Sequence, residues 1–354
     1  MNNGRSWAGT ARTISFFFLV LILAAVGCGS KDIYLAGQTR VAVALYDGAM
    51  AGDPYYENCA QGFERLRGQN IDPQYFENPT GKPFADILAA AVASRPDVIW
   101  CLDSRGADAA AEAAAANPEI QFITLEHAYA EPASNLAGVY FDSPGASFLA
   151  GYLAAVATEN GDVGIAGGAA SAAPEEFAFK AGVIYAGNSL GKSIRVHSAF
   201  AGDNYDAAAA EGAAATLYGE GCDVIFSSSG HTAAAAVTAA QNAGRSLICL
   251  NYGQYTADAA PDGVVAFVAE SVDARADGMT KMAAAGQVGG QNHFFGFPTN
   301  SVRLERVGTS FSDQEWEAMN NVLSRILAGD FRAPADQEAL DEFVAAAPWR
   351  SAGG

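Results

Sequence analysis

Positively charged residues are scarce in this sequence. Lysine and arginine together number 20 against 39 aspartates and glutamates, and the formal net charge at pH 7 is −19. Proteins that bind DNA or RNA neutralise phosphates with clustered lysine and arginine, so this balance argues against a nucleic-acid partner. It is typical of a solvated acidic surface.

Long hydrophobic runs are also missing, with one exception near the amino terminus. The apolar run Ile14–Val26 follows two arginines and is too short to span a bilayer comfortably, which favours an export signal over a transmembrane helix. Small residues precede Cys28, as in the lipobox of bacterial lipoproteins. We therefore predict that residues 1–28 are a signal peptide whose cleavage leaves Cys28 as a lipid anchor. An ordinary secretory signal with an incidental cysteine is the alternative.

Cysteine patterns that would bind zinc or catalyse redox chemistry are absent. The four cysteines after Cys28 are widely spaced, with no CxxC pair: Cys59, Cys101, Cys222 and Cys249. Cys101 and Cys249 lie in apolar runs, which favours buried thiols. An exported protein permits disulfides, and the sequence leaves their pairing open.

Motifs for catalysis and cofactor binding are lacking as well. The four histidines form no HExxH motif, the glycine-rich turn 164–168 has no P-loop lysine, and the serines at 227–229 form no GxSxG motif. We interpret the glycine-rich turn as a place where the backbone packs closely in the second half of the chain. The sequence therefore favours a binding protein over an enzyme, with no cofactor and no metal.

What the sequence does contain is a regular alternation of short β-branched runs and alanine-rich helical stretches. Such alternation indicates parallel sheets with crossover helices, hence an α/β fold. The pattern occurs twice, with a break near Asp142, and about 327 residues follow the signal peptide. The length and the repeat predict two doubly wound lobes.

Polar and aromatic residues follow the predicted strands, and ligands of such sheets bind beyond the carboxyl ends of the strands. The strand ends are Asp47 with the tyrosine loop, then 103–105, 126–127, 200–206, 229–231 and 251–254. The candidates chosen from them are Asp47, Tyr55, Tyr56, Asp103, Ser104, Glu126, Phe200, Tyr205, Asp206, Gly230 and Asn251. His127 and His231 could also touch a ligand, with satisfied loop histidines as the more common alternative. Such groups would suit a hydrogen-bonding cleft, although strand-end loops are polar in most proteins.

Several phrases resemble the basic membrane protein family of bacterial lipoproteins, which are substrate-binding components of ABC importers. The phrases are SFLAGYLAAVATENGDVGIAGG (147–168), GCDVIFSSSGHTAAAAVTAAQNAG (221–244), LNYGQY (250–255) and APDGVVAFVAESVD (260–273). The resemblance implies a type I periplasmic binding protein fold, with two lobes joined by three hinge crossings. It also implies the boundaries: lobe one at 39–141 plus 253–298, lobe two at 142–252 plus 299–340, and a C-terminal tail at 341–354.

Many members of that family are purine nucleoside receptors, and the resemblance assigns ligand contacts residue by residue. Asp53 to Asn58 occupies the place of the family's Asp-Lys-Ser-Phe-Asn-Gln, so Tyr56 matches the phenylalanine that stacks on the purine. Tyr55 is a neighbour that could substitute, and Asn58 completes the motif. The family's second stacking aromatic falls on Asn204, so Tyr205 or Phe200 would have to supply that face.

Three further positions depart from the family pattern. Glu126 stands where the family has aspartate, Asn251 replaces another aspartate, and Glu270 replaces a lysine that holds the ribose. An unpaired glutamate in a closed cleft would cost several kcal/mol. Glu270 therefore either points away, protonates, or meets a ligand with hydrogen-bond donors or positive charge.

These observations together predict an extracytoplasmic, lipid-anchored solute-binding protein of an ABC importer. The expected ligand is a purine nucleoside or nucleobase in the interlobe cleft, and the expected partners are that solute, an ABC permease and the membrane. A ligand-sensing or surface-interaction lipoprotein with a non-purine ligand is the alternative, and a nucleoside hydrolase comes third.

Overall fold

The computed structural model describes residues 38–168 and 174–353, so the predicted signal peptide and Cys28 lie outside the described residues. The strands are β1 Thr39–Ala44, β2 Ile71–Phe76, β3 Val98–Cys101, β4 Gln121–Leu125, β5 Leu136–Phe141, β6 Asp162–Gly167, β7 Arg195–Phe200, β8 Val224–Ser227, β9 Ser246–Asn251, β10 Val264–Glu270, β11 Gln291–Phe295 and β12 Val302–Arg306. The helices are α1 Pro54–Glu64, α2 Phe84–Ala93, α3 Ala107–Ala116, α4 Ser143–Ala157, α5 Pro174–Leu190, α6 Ala207–Gly219, α7 Ala233–Ala243, α8 Val272–Ala284, α9 Asp313–Ala328 and α10 Gln337–Ala346. Among the described residues, none of these helices is long and apolar enough to cross a membrane.

The strands form two sheets, which confirms the predicted pair of doubly wound α/β lobes. The first sheet has the order β11-β5-β4-β3-β1-β2, and the second has the order β12-β10-β9-β8-β6-β7. Neighbouring strands are parallel throughout, except that β12 runs antiparallel to β10. The central strands are apolar on both faces because helices cover each sheet on both sides.

The chain passes between the sheets three times within the described residues. It crosses after β5, after β10 and between β11 and β12. The backbone N–H of Asp142 donates to Phe295 O at 2.9 Å, and that of Ser271 donates to Ser301 O at 2.8 Å. These bonds join the first crossing to the third and the second crossing to the third.

The position of β10 corrects one predicted lobe boundary. The predicted lobe one segment 253–298 includes β10, yet β10 pairs with β9 and β12 in the second sheet. The first lobe therefore resumes only after Glu270, with α8, whose Thr280 accepts a hydrogen bond from the Trp100 indole at 2.9 Å. Alternation of strand and helix patterns does not reveal which sheet a strand joins, which explains the error.

The predicted C-terminal tail is part of the second lobe. Residue 341 falls inside α10, and Phe343 of this helix is buried against Phe148 of α4, with ring centroids 5.7 Å apart. Trp349 also lies near Tyr185 of α5, at 6.5 Å between ring centroids. The end of the chain therefore covers the helices that follow the first crossing.

Close helix packing fixes the segment that leads from the hinge into the second lobe. A Cβ on Gly151 of α4 would lie 2.2 Å from Phe179 O, and one on Gly182 of α5 would lie 1.9 Å from Phe148 O. Only glycine allows the two helices to approach so closely. This contact holds α5, whose first turn carries two glutamates, against α4.

The four cysteines in the described residues are buried free thiols: Cys59, Cys101, Cys222 and Cys249. The predicted burial of Cys101 and Cys249 is confirmed, and burial raises the pKa of both thiols to about 12. Such thiols are protonated at neutral pH and behave as small apolar groups.

Candidate functional site

The first turn of α1 places two tyrosines at the junction of the lobes. Asp53 Oδ1 accepts hydrogen bonds from the backbone N–H groups of Tyr55 at 2.8 Å and Tyr56 at 3.4 Å, and Pro54 occupies the first turn. An N-cap of this kind stabilises the helix start and fixes the direction of the first-turn side chains. Both tyrosine rings are almost wholly buried, and their hydroxyls have no hydrogen-bond partner among the described residues.

His231 of the second lobe lies at the centre of these aromatic rings. Its ring centroid is 4.5 Å from that of Tyr55, 4.4 Å from that of Tyr205 and 5.6 Å from that of Tyr252. Its Nδ1 lies 3.7 Å from Asp53 Oδ2, and its side chain is 5% exposed. Burial lowers the pKa of His231, but pairing with Asp53 and other carboxylates outweighs burial and raises this pKa.

Glu126 and Tyr252 form a hydrogen bond between the lobes. Glu126 follows β4, and the Tyr252 hydroxyl, after β9, donates to its Oε1 at 3.1 Å. Glu126 has a φ of 57°, in the left-handed region that non-glycine residues adopt only where surrounding structure requires it. A Cβ on Gly230 would lie 2.2 Å from the Tyr252 ring, so glycine is needed for this ring position.

Arg105 forms a second contact between the lobes. Its Nε lies 3.0 Å from both oxygens of Asp103, and its Nη1 lies 3.0 Å from Asp47 Oδ2. These carboxylates hold the guanidinium 3.5 Å from the centroid of the Tyr205 ring in the second lobe. The arrangement is a cation–π contact, and it closes the junction beside the tyrosine cluster.

A cavity of about 550 Å³ lies between the lobes next to these contacts. Aromatic side chains line part of it: Tyr140, Phe141, Phe200, Tyr252 and Phe294. Carboxylates line another part: Glu126, Asp142, Glu175, Glu176 and Glu270. The volume falls within the range of small-molecule sites, and the mixture of rings and polar groups is typical of them.

The carboxylates of the cavity differ in their partners. Glu176 Oε1 pairs with Lys180 Nζ at 2.6 Å, and Asp142 Oδ1 accepts from the Gly145 N–H at 2.9 Å. Glu270 is only 6% exposed, and its carboxylate has no hydrogen bond or ion pair among the described residues. Burial, followed by the charges of Glu126 and neighbouring carboxylates, raises the pKa of Glu270 well above its ordinary value.

The other cavity carboxylates are also affected by burial. It raises the pKa of Glu126, Asp142 and Glu175, and the hydrogen bonds that Glu126 and Asp142 accept only partly oppose this. All of these groups therefore hold protons more readily than exposed carboxylates do.

The structure places the predicted site residues in three groups. Those lining the cavity are Ser104, Glu126, Phe200, Gly230 and Glu270. Tyr55, Tyr56 and Tyr205 belong instead to the aromatic cluster around His231, and neither Tyr55 nor Tyr56 borders the cavity. The predicted tyrosine stacking faces are covered by protein side chains here, because the lobes contact each other at this point.

The remaining predicted residues organise the loops around the junction. Asp47 and Asp103 hold Arg105, as described above. Asn58 Oδ1 accepts from the Asp273 N–H at 3.2 Å, Asp206 caps α6 through the Ala209 N–H, and Asn251 Nδ2 donates to Tyr255 O at 2.9 Å. None of these residues borders the cavity among the residues described.

Several residues of the site were not among the predicted contacts. Arg105 and His231 lie in strand-end segments that the rule includes, but neither was chosen as a ligand contact. For His231 the reason is that strand-end histidines are more often satisfied loop residues. Asp142 marks the predicted break between the lobes, and Tyr140 and Phe294 lie near the ends of β5 and β11. Only the pairing of β11 with β5 brings Tyr140 and Phe294 together, with ring centroids 5.2 Å apart.

Comparison with known proteins agrees with this architecture. Residues 39–337 match the Bmp family, described as "ABC transporter substrate-binding protein PnrA-like". Among curated relatives, basic membrane protein D of Borreliella burgdorferi is 25% identical over 338 residues, covering 93% of this chain and 97% of the relative. Basic membrane protein A of the same species is 22% identical, covering 85% and 89%.

Solved structures share the fold. An ABC transporter solute-binding protein from Aeropyrum pernix aligns with a TM-score of 0.71 and 17% identity, over 88% of this chain and 99% of that one. A solute-binding protein from Agrobacterium vitis, solved with α-D-tagatopyranose, aligns with a TM-score of 0.56 and 15% identity, over 79% and 98%. The family match covers most of the chain, and the two lobes enclose a cavity at their strand ends: the protein belongs to the Bmp family of PnrA-like ABC transporter substrate-binding proteins.

Proposed function

We propose that this protein is the extracytoplasmic receptor of an ABC importer and that it binds a purine nucleoside or nucleobase in the interlobe cavity. The observation that carries the proposal is the cavity itself, which combines aromatic side chains with carboxylates between the two lobes. A receptor of this type needs a site that closes around its solute, and no catalytic group is required.

The aromatic part of the cavity supports a flat, heterocyclic ligand. The rings that border it come from both lobes. Tyr140 and Phe294 lie on the first sheet, and in the second lobe Phe200 ends β7 and Tyr252 follows β9. Stacking of a base on an aromatic ring contributes about 1–3 kcal/mol. These rings take the stacking role that the family resemblance assigned to Tyr55 and Tyr56.

The polar part of the cavity supports a ligand rich in hydrogen-bond donors. Glu126 and Glu270 present acceptor oxygens, and purines and ribose carry amino, ring N–H and hydroxyl donors. Hydrogen bonds to charged groups contribute more than those between neutral groups. A cavity of about 550 Å³ also has room for a whole nucleoside.

We further propose that the mature protein is attached to the membrane and delivers its solute to a permease. The basis is the amino-terminal sequence, in which an apolar run precedes Cys28, together with family membership. Mass spectrometry of protein from the native membrane would test this directly. A mature chain that begins at lipid-modified Cys28 is expected, and an unmodified amino terminus elsewhere would contradict the anchor.

Isothermal titration calorimetry tests the ligand class. Protein lacking residues 1–28 is suitable, because the first described element begins at Thr39. We expect heat of binding and a single site with at least one of adenosine, guanosine, inosine, adenine and guanine. Absence of heat with all five would overturn the purine assignment, and loss of purine uptake on gene deletion would support the transport role over a sensing role.

A further inference from the structure

We propose that the ligand carries an organic cation, such as an ammonium, amidinium or guanidinium group, that pairs with the carboxylate of Glu270. This inference rests on the proposed function in that it uses the same interlobe cavity. It narrows the ligand class from donor-rich heterocycles to those with a positive charge.

The position of Glu270 is fixed by the sheet and the hinge. It is the last residue of β10, where its backbone pairs with Val302 of β12, and the chain crosses into the first lobe directly after it. Its side chain borders the cavity, is more than nine-tenths buried, and has neither a hydrogen bond nor an ion pair among the described residues. A buried carboxylate in this situation is costly unless a donor or a cation reaches it.

The charges around Glu270 are mostly of the same sign. Glu126, Asp142 and Glu175 border the same cavity, and each of them interacts unfavourably with a charged Glu270. The described lining includes no lysine or arginine, and residues 169–173 (AASAA) carry no ionisable side chain. Ionisation of these carboxyl groups would therefore place like charges around the cavity, which a cationic ligand would compensate and a neutral ligand would not.

The cations near the cavity are engaged elsewhere. Lys180 pairs with Glu176, the Arg105 guanidinium lies between Asp103 and the Tyr205 ring, and the His231 imidazole faces Asp53. None of these cations pairs with Glu270, which also lacks the hydrogen bonds that Glu126 accepts from Tyr252 and that Asp142 accepts from the Gly145 N–H. A cationic ligand would supply the missing partner.

The surroundings favour an organic cation over a metal ion. Among the residues that the structure describes, no group of three or more His, Cys, Asp or Glu side chains is arranged to hold a metal. Aromatic rings such as Phe200 and Phe294 border the same cavity, and rings of this kind bind the apolar body or the charge of an organic cation. The volume of about 550 Å³ also greatly exceeds that of a single ion.

The test compares purine nucleosides that differ in charge. Calorimetry on protein lacking residues 1–28, at a mildly acidic pH that keeps N1 of 7-methylguanosine protonated, would use adenosine against 1-methyladenosine and guanosine against 7-methylguanosine. Each methylated member is then cationic, and agmatine serves as a cation without a purine. We expect the cationic member to bind about 10- to 100-fold more tightly than its parent, as for a hydrogen bond to a charged group.

The variants Glu270→Gln and Glu317→Gln separate a specific contact from a general effect of charge. Glu317 is exposed on α9 and does not border the cavity, so its substitution should preserve the preference for the cation. Glu270→Gln should abolish that preference while the protein remains folded. A preference that survives Glu270→Gln unchanged would overturn the pairing.

The outcomes also distinguish this inference from the proposed function. Tighter binding of the neutral nucleosides would overturn the cationic ligand and leave the purine receptor intact. Binding of agmatine alone would support the cation and overturn the purine assignment. Absence of binding by every probe would overturn both.

Discussion

The hydroxyl of Tyr252 donates a hydrogen bond to Glu126 across the junction of the two lobes, at 3.1 Å. Glu126 reaches this position from a left-handed backbone conformation with a φ of 57°. The same carboxylate borders the cavity, so a contact that holds the lobes together and a contact available to the ligand share one side chain. Closure and binding are therefore expected to depend on each other.

Tyr252→Phe tests this hydrogen bond. It leaves the ring in place but removes the donor to a largely desolvated carboxylate, and hydrogen bonds to charged groups contribute about 1.5–3 kcal/mol. We expect a larger radius of gyration by small-angle X-ray scattering and roughly 10- to 100-fold weaker ligand binding. The control is Tyr218→Phe, because the Tyr218 hydroxyl bonds to Ser246 O at 3.0 Å within the second lobe. Equal scattering by both variants would contradict a role in closure.

Gly230→Ala tests the ring position of Tyr252. A new Cβ would lie 2.2 Å from the ring, which must move, so unfolding free energy should fall by about 1–3 kcal/mol. Gly212→Ala is the matched control, because α6 has open space there and alanine should stabilise this helix by up to ~1 kcal/mol. Urea denaturation measures both changes. A stability of Gly230→Ala equal to that of the parent would show that the ring adjusts freely.

Phe294→Ala tests the aromatic wall of the cavity. The Phe294 side chain is 49% exposed and borders the cavity, so its removal should spare the fold while weakening ligand binding by about 1–3 kcal/mol, or roughly 5- to 150-fold. Leu327→Ala removes a side chain of similar exposure, 48%, on α9 away from the cavity. Calorimetry with the bound purine gives the comparison. Equal affinities for the two variants would exclude Phe294 from the contact.

The raised pKa of Glu270 predicts that folding stability depends on pH. Its pKa in the folded protein lies well above the ordinary 4.5, so above that pH the folded state binds more protons than the unfolded state. Its contribution to stability is therefore fully present below about pH 4.5 and is lost as the pH rises toward the folded pKa. The stability of Glu270→Gln relative to the parent should grow with pH by up to ~1.4 kcal/mol per unit. Urea denaturation of ligand-free protein from about pH 4 to 8 measures it, and a constant difference would contradict the desolvated carboxylate.

Sequence patterns predicted the strands and helices of the fold more reliably than they predicted which strands lie in the same sheet. Alternating strand and helix signals gave two α/β lobes because they depend on local burial and propensity. They did not give the sheet in which β10 lies, because its apolar run would suit a central strand of either sheet. The resemblance placed a boundary at 253, whereas hydrogen bonds to β9 and β12 keep the chain in the second lobe through Glu270.

In the candidate site, too, local patterns predicted the positions of residues along the chain better than their contacts in space. The strand-end rule brought Glu126, Phe200 and Gly230 to the junction, because parallel strands present their carboxyl ends at one edge. It did not reveal that Tyr55 and Tyr56 pack against His231. Ring contacts of this kind depend on how two lobes approach each other in space, and no local pattern in either lobe specifies that approach.

The backbone hydrogen bonds that join the three crossings have a consequence for how a solute would enter. Because Asp142 bonds to Phe295 and Ser271 bonds to Ser301, we expect the connecting segments to bend together about a common axis. Contacts away from that axis, such as Arg105 on Tyr205, would then separate when the lobes move apart. Asp142 lies on the first connecting segment and Glu270 directly precedes the second, so both would move little. The acidic end of the cavity would thus be assembled before closure, and we expect an incoming molecule to be captured there first and enclosed by the rings afterwards.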